Sequence, residues 1–200
     1  MSRAMQNAMC ALSLILLLTA LGGCEEDGND WQRLVCDVEI VNAGSPLISA
    51  YLDAGSDNEV GTEDDFQPID MVQVIFHTRP YSSSVSIPED SPYSWFQVES
   101  YDLVWENNPL VPIDLQPYNV YDGVVNLRVP VNEEGAASVL VAGVDMKNTP
   151  WFVDIANGFL ESFQADLHLT FYGHESGSDE EVAIDAGLRV HFIGVKTGDD

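Results

Sequence analysis

Along most of the chain, apolar residues fall on alternate positions in short runs separated by turn residues, the two-residue period of half-buried β-strands. In Val35–Val41, the residues Cys36, Val38 and Ile40 share one face while Asp37 and Glu39 take the other. Leu47–Leu52 is a second apolar run. In Met71–Thr78, Val72, Val74 and Phe76 form one face, with Gln73 and His77 opposite. Trp95–Trp105 begins with Phe96 and Val98 in phase, and then Tyr101, Leu103 and Trp105 take over. That change of phase predicts a β-bulge near Glu99-Ser100. Val124–Val131 and Ser138–Val144 are joined by the turn-like Asn132-Glu133-Glu134-Gly135, and Ala165–Tyr172 and Val182–Val195 flank Ser176-Gly177-Ser178-Asp179. Helical periodicity is scarce. Thr149-Pro150-Trp151 predicts a short helix running through Ala156, because proline suits a first helical turn.

Short strands at this spacing must each bury one face, and two packed sheets do that most economically. The expected fold is therefore all-β: an antiparallel two-sheet sandwich, immunoglobulin-like, with a jelly roll or small barrel as the alternative. One domain is expected over residues 31–197, with no internal repeat.

The N-terminus reads differently. Arg3 is followed by an apolar run from Ala8 to Leu21, shorter than the roughly 20 residues a membrane-spanning helix needs. A basic start, a short apolar stretch and small residues at its end describe an export signal over residues 1–23. The signal ends in Leu21-Gly22-Gly23-Cys24, which resembles the lipobox of bacterial lipoproteins. That resemblance implies a lipid thioether on Cys24 and cleavage before it. Two or three acyl chains hold a protein on a bilayer where one is marginal, so the lipid would suffice as the membrane anchor. Glu25 in place of aspartate leans toward the outer membrane. Residues 24–30, rich in acids, form a tether.

Charge narrows the partners. The chain carries 7 basic and 33 acidic residues, for a net charge of −26. Loss of the signal removes Arg3 and no acid, leaving −27. Such a surface repels phosphate backbones, so nucleic acid is not an expected partner. It suits divalent cations, cationic partners or plain solubility. Of three cysteines, Cys10 lies in the signal and Cys24 takes the lipid. Cys36 is left alone as a packed, unreactive thiol, and the mature domain has no disulfide.

A wider resemblance rests on Val74-Ile75-Phe76-His77-Thr78-Arg79-Pro80-Tyr81, Ser94-Trp95-Phe96, Ser100-Tyr101-Asp102-Leu103-Val104-Trp105, Phe163-Gln164-Ala165-Asp166-Leu167 and Phe171-Tyr172-Gly173. This pattern is similar to that of small uncharacterised envelope lipoproteins of environmental bacteria. It implies a β-sandwich lipoprotein and carries no activity with it.

The most informative polar stretch is Asp53–Asp65. Set against an EF-hand calcium loop, Asp53 takes the first position, Asp57 the fifth and Asp64 the twelfth. Asn58 falls where a left-handed backbone is needed, Glu59 would offer its carbonyl, and Glu63 or Asp65 would complete the shell. Gly55 stands where a ligand is usual, and Asp64 replaces the bidentate glutamate. Crowded carboxylates favour a hard cation, so calcium is the expected cofactor, against the alternative of a merely solvated acidic loop.

Other chemistry is poorly represented. With a hairpin centred near Gly177, His168 would face Ala186 and His191 would face Phe163, too far apart for a shared ion. Gly173-His174-Glu175 begins like a zincin, but Ser178 stands where the second histidine is needed. No nucleophile elbow occurs, and no pair of carboxylates stands out among so many. Tyr93, Trp95, Phe96, Tyr101 and Trp105 would make either a sugar-stacking platform or, more simply, core. The expectation is thus a non-enzyme: a lipid-anchored envelope protein whose sandwich meets a protein or glycan. The alternative is a purely structural lipoprotein with no specific ligand.

Overall fold

The computed structural model describes residues 33–41, 46–84, 86–88, 91–92 and 94–197. The signal, Cys24, the tether and Tyr93 lie outside the described residues. Eight strands are formed among those described: β1 (Leu34–Ile40), β2 (Leu47–Asp53), β3 (Asp70–Pro80), β4 (Trp95–Trp105), β5 (Val120–Pro130), β6 (Glu134–Ala142), β7 (Phe163–Glu175) and β8 (Val182–Lys196). Two short helices, α1 (Val144–Lys147) and α2 (Pro150–Ala156), lie between β6 and β7.

The strands make two packed sheets, a three-stranded one in the order β1-β3-β6 and a five-stranded one in the order β2-β8-β7-β4-β5. The protein is an all-β sandwich, and its strand order is the immunoglobulin one. β1, β3 and β6 stand as strands A, B and E, while β4, β5, β7 and β8 stand as C, C′, F and G. Strands B and F, which a disulfide joins in antibody domains, are linked here by Phe76 on β3 and Phe171 on β7. Their rings meet edge to face with centroids 5.0 Å apart.

Alternation decides which side chains fill the space between the sheets. Val72, Val74 and Phe76 from β3 face Leu167, Leu169 and Phe171 from β7, all buried. The register of β4 shifts between Val98 and Ser100, so the bulge expected from the change of phase is present. Beyond it, Leu103 and Trp105 return to the core. Gly173 on β7 lies against the Gln97 carbonyl, where a Cβ would collide with backbone.

Three expectations need correction. First, not every neighbour is antiparallel: β2 runs parallel to β8, from Leu47↔Val190 to Asp53↔Lys196. The chain leaves β1 at the edge of one sheet and carries on into the other, so β2 meets the last strand side by side. Second, the run expected to continue to Val144 stops at Ala142. Gly143 starts α1, whose Lys147 N–H donates to the Gly143 carbonyl at 3.1 Å. Third, the β7–β8 hairpin pairs His168 with Gly187 and His191 with Gln164, one residue from the expected register. Its turn carries Gly177 at φ +80° and a Ser178 N–H to Glu175 carbonyl bond, which centres it half a residue later. The two histidines remain far apart on the ladder.

Candidate functional site

The acidic loop leaves β2 at Asp53 and returns through Phe66. The two residues exchange backbone hydrogen bonds of 2.8 and 3.1 Å that close the loop base. Asn58 adopts φ +60°, the left-handed conformation expected of it, and Gly55 and Gly61 are also left-handed. The carboxylates are turned inward onto donors of the loop itself. Asp53 Oδ1 accepts from Gly55 N at 3.1 Å, Asp57 Oδ1 from Glu59 N at 2.9 Å, and Asp65 Oδ2 from Gly61 N at 2.6 Å. Asp64 is the hub. Its Oδ2 accepts from Ser56 N and Oγ, at 2.7 and 2.9 Å, and its Oδ1 accepts from Thr62 Oγ1 at 2.8 Å. This carboxylate sits where a Cβ on Gly55 would be, so that glycine serves both the backbone and the space.

Of the expected ligands, the structure brings four together. Asp64 Oδ1, the Glu59 carbonyl, Asp57 Oδ1 and Asp65 Oδ1 lie 2.8, 3.1, 3.4 and 3.5 Å from Thr62 Oγ1. Asp53 is held at the loop base, and Glu63 is exposed. Thr62, the focus of the cluster, was not among the expected ligands. Among the described residues, no group of three or more His, Cys, Asp or Glu side chains is gathered to hold a metal ion.

Hydrogen bonds from the Thr62 and Ser56 hydroxyls, with the Ser56 N–H, hold the Asp64 carboxyl down to about 2 from 3.8. A depressed carboxyl contributes stability that is present above its unfolded value and lost as pH falls through about 2. In an NMR titration of carboxyl carbons, Asp64 is expected to titrate near pH 2, and Thr62→Val to move it upward. A titration at the ordinary aspartate value in the wild type would contradict this hydrogen-bonded hub.

A second cluster escaped the sequence reading. Lys147 is fully buried, and its Nζ donates to Asp70 Oδ2 at 2.8 Å and to the Ala50 carbonyl at 2.7 Å. Ser49 Oγ donates to the same Asp70 oxygen at 2.6 Å. The Phe152 ring walls the ammonium, its centroid 5.8 Å away. Burial pushes Asp70 up and Lys147 down, in each case against the opposing pull of the partner. Alternation along β2 and β3 registers these residues only as polar interruptions. Nothing in the spacing of residues 49, 70 and 147 announces that they meet.

The remaining candidates resolve simply. Cys36 is buried, and its thiol is pushed up to about 12, first by burial and then by the Asp37 charge; it is a packing residue. His168 meets Asp185 at 3.2 Å, and His174 meets Glu99 at 3.7 Å. Glu175 accepts the backbone N–H groups of Arg33 and Leu34, both at 2.9 Å, and so fastens the start of β1. Phe96 and Trp105 are core, and Trp95 is covered by the Arg128 guanidinium 4.0 Å above its ring. Among the described residues of that set, Trp95, Phe96, Tyr101 and Trp105 do not form a common exposed platform.

The edges of the sheets differ in how they are protected. β1 carries Asp37 and Glu39, with Arg79 paired to Asp37 at 3.3 Å. On β2, Lys147 takes the Ala50 carbonyl. β5 is broken by register shifts and by Asp122 at φ +56°. β6 is less protected: it reads Glu-Gly-Ala-Ala-Ser-Val-Leu-Val-Ala, with no proline, its one charge Glu134 at the start beside His77 at 3.3 Å, and a register shift against β3 only at its end, between Leu140 and Ala142. Only Val131–Glu133 separate it from β5, leaving no chain there for the D strand that would cover it. On its outer face Leu140 stands opposite Met71, both exposed; exposed Ile69 precedes Met71 by two residues, and exposed Val144 follows Leu140 by four, in α1.

No protein-family model matches the chain, and no curated protein is similar to it.

Proposed function

We propose that this is a lipid-anchored envelope protein whose sandwich is a non-catalytic interaction module, receiving an extended segment of a partner as an added strand beside β6. The observation that carries the reading is the outer edge of β6, which no other described strand covers, with apolar Leu140 on it and Met71 opposite both exposed. An edge with few charges and no strand beside it is a template for another strand, and folds normally blunt it. Main-chain hydrogen bonds would supply affinity, and the apolar strip would choose the side chains accepted. The net charge of −26 favours a segment with basic flanks. Cys24 would hold the module at the membrane, with the outer membrane favoured by Glu25.

A photo-crosslinking residue at Ser138 tests this in cells. One discrete envelope partner is expected, lost on Leu140→Lys, and lost from the membrane fraction on Cys24→Ala as the domain is released. Crosslinking no greater than from a control position on the exposed Val124 would refute the module. A Cys24→Ala protein still processed and membrane-bound would refute the anchor.

A second reading concerns calcium in the Asp53–Asp65 loop. It is supported by the four oxygens converging on Thr62 Oγ1, whose single proton can serve only one of them. A hard cation among Asp57, Glu59, Asp64 and Asp65 would relieve the crowding, with Asp53 and Glu63 at its margin. With Gly55 offering no side-chain oxygen, affinity should lie near the weak extracellular class, about 10⁻⁴–10⁻³ M. Calorimetry should show a melting temperature that rises with calcium, and the rise should vanish in an Asp53→Asn, Asp57→Asn variant at fixed ionic strength. Equal responses in both proteins would reduce the effect to charge screening.

A further inference from the structure

The buried cluster of Ser49, Asp70 and Lys147 is used neither by the proposed docking edge nor by the acidic loop. We infer that Lys147 and Asp70 are a self-modifying pair, set in contact inside the sandwich to condense into an isopeptide bond between Nζ and Cγ. The geometry is that of reactants already assembled. The amine lies 2.8 Å from Asp70 Oδ2, with the lysine fully buried and the Asp70 side chain 6% exposed. Two further contacts fix the approach, the Ala50 carbonyl on the amine and the Ser49 hydroxyl on the same carboxyl oxygen. Groups held in contact react as if at very high local concentration, since the entropy of bringing them together has been met by folding.

The chemistry requires neutral reactants, because an ammonium has no lone pair and a carboxylate repels a nucleophile. Desolvation drives both groups that way, raising Asp70 and lowering Lys147. One proton passes from the ammonium to Oδ2, giving a free amine and a carboxylic acid. The Nζ lone pair attacks Cγ, forming the C–N bond and a tetrahedral centre. A second Nζ proton moves to the departing Oδ2 hydroxyl, which the Ser49 hydroxyl holds by its hydrogen bond. The Cγ–Oδ2 bond then breaks and water leaves, so the balance is ammonium plus carboxylate giving amide plus one water. No oxidant or external reagent enters. Exclusion of bulk water favours this direction, because the reverse reaction consumes water. The amide would tie α1 to β3 covalently, closing a loop through β4, β5 and β6.

Peptide mapping of the full-length protein, denatured and cut with trypsin, reads the bond directly. Lys147 is itself a cleavage site, and Arg79 is shielded by Pro80. The uncondensed chain therefore yields separate peptides 34–128, 129–147 and 148–189. The condensed chain yields 34–128 joined to an uncut 129–189, lighter by one water than the sum of the two. The joined species is expected in the wild type and absent from Asp70→Ala. Ser49→Ala should accumulate it more slowly after synthesis. If the wild type yields only the three separate peptides, the inference is wrong, and that result does not depend on any variant folding.

Discussion

Phe192→Ala is expected to lower the unfolding free energy by about 3–5 kcal/mol, the range found when a fully buried phenylalanine is truncated in a core that relaxes only partly. Phe192 lies at the centre of the largest aromatic group in the molecule. Its ring centroid is 5.1 Å from Phe163, 5.5 Å from both Trp105 and Trp151, and 5.7 Å from Phe152. Those neighbours come from β7, β4 and α2, so one side chain on β8 joins the five-stranded sheet to the helix lying against it. Trp151 and Phe152 also stack on one another, at 4.8 Å and 10°, and could not both move inward to fill the space. Urea titration is the measurement: the midpoint should fall with the slope unchanged. A loss below about 1 kcal/mol would mean that the group closes over the cavity and that this cluster is not where the sandwich is held.

The second large effect is expected from Lys147→Met. Whether the pair is ionic or condensed, this change leaves the Asp70 carboxyl buried with Ser49 as its remaining hydrogen-bond partner. Removing one member of a buried pair typically costs about 3–5 kcal/mol. It also strips the Ala50 carbonyl of its Nζ donor, on a strand that stands at the edge of its sheet beside β8. Adding Asp70→Leu in the same chain should recover part of the loss, because two apolar groups no longer have a buried charge to compensate. Thermal and urea unfolding of the single and double variants would measure it. A single variant as stable as the wild type would show that water reaches Asp70 and that the pair is not isolated.

Much of the architecture was legible from residue pattern. Val72, Val74 and Phe76 alternate because β3 has one face in the core and the other in water, and the same constraint set the strands around Cys36 and Leu167. The change of phase at Glu99 was readable for the same reason, since an extra residue in a strand must turn every later side chain over. The crowding and the left-handed turn at Asn58 were likewise local facts of the acidic loop.

What alternation could not reveal was anything fixed by contacts between distant segments. The parallel seating of β2 on β8 depends on which sheet the chain joins after β1, and a strand's periodicity is the same in either orientation. Thr62 became the focus of the acidic loop only when the backbone folded three carboxylates and a carbonyl around one hydroxyl. The exposure of β6 followed from the short link to β5, which leaves no strand between the two to cover it. Ser49, Asp70 and Lys147 show the limit most clearly. In a sequence a lone aspartate and a lone lysine read as surface, because burying either charge by itself is prohibitive. Tertiary packing set the two charges 2.8 Å apart, and each made the burial of the other possible.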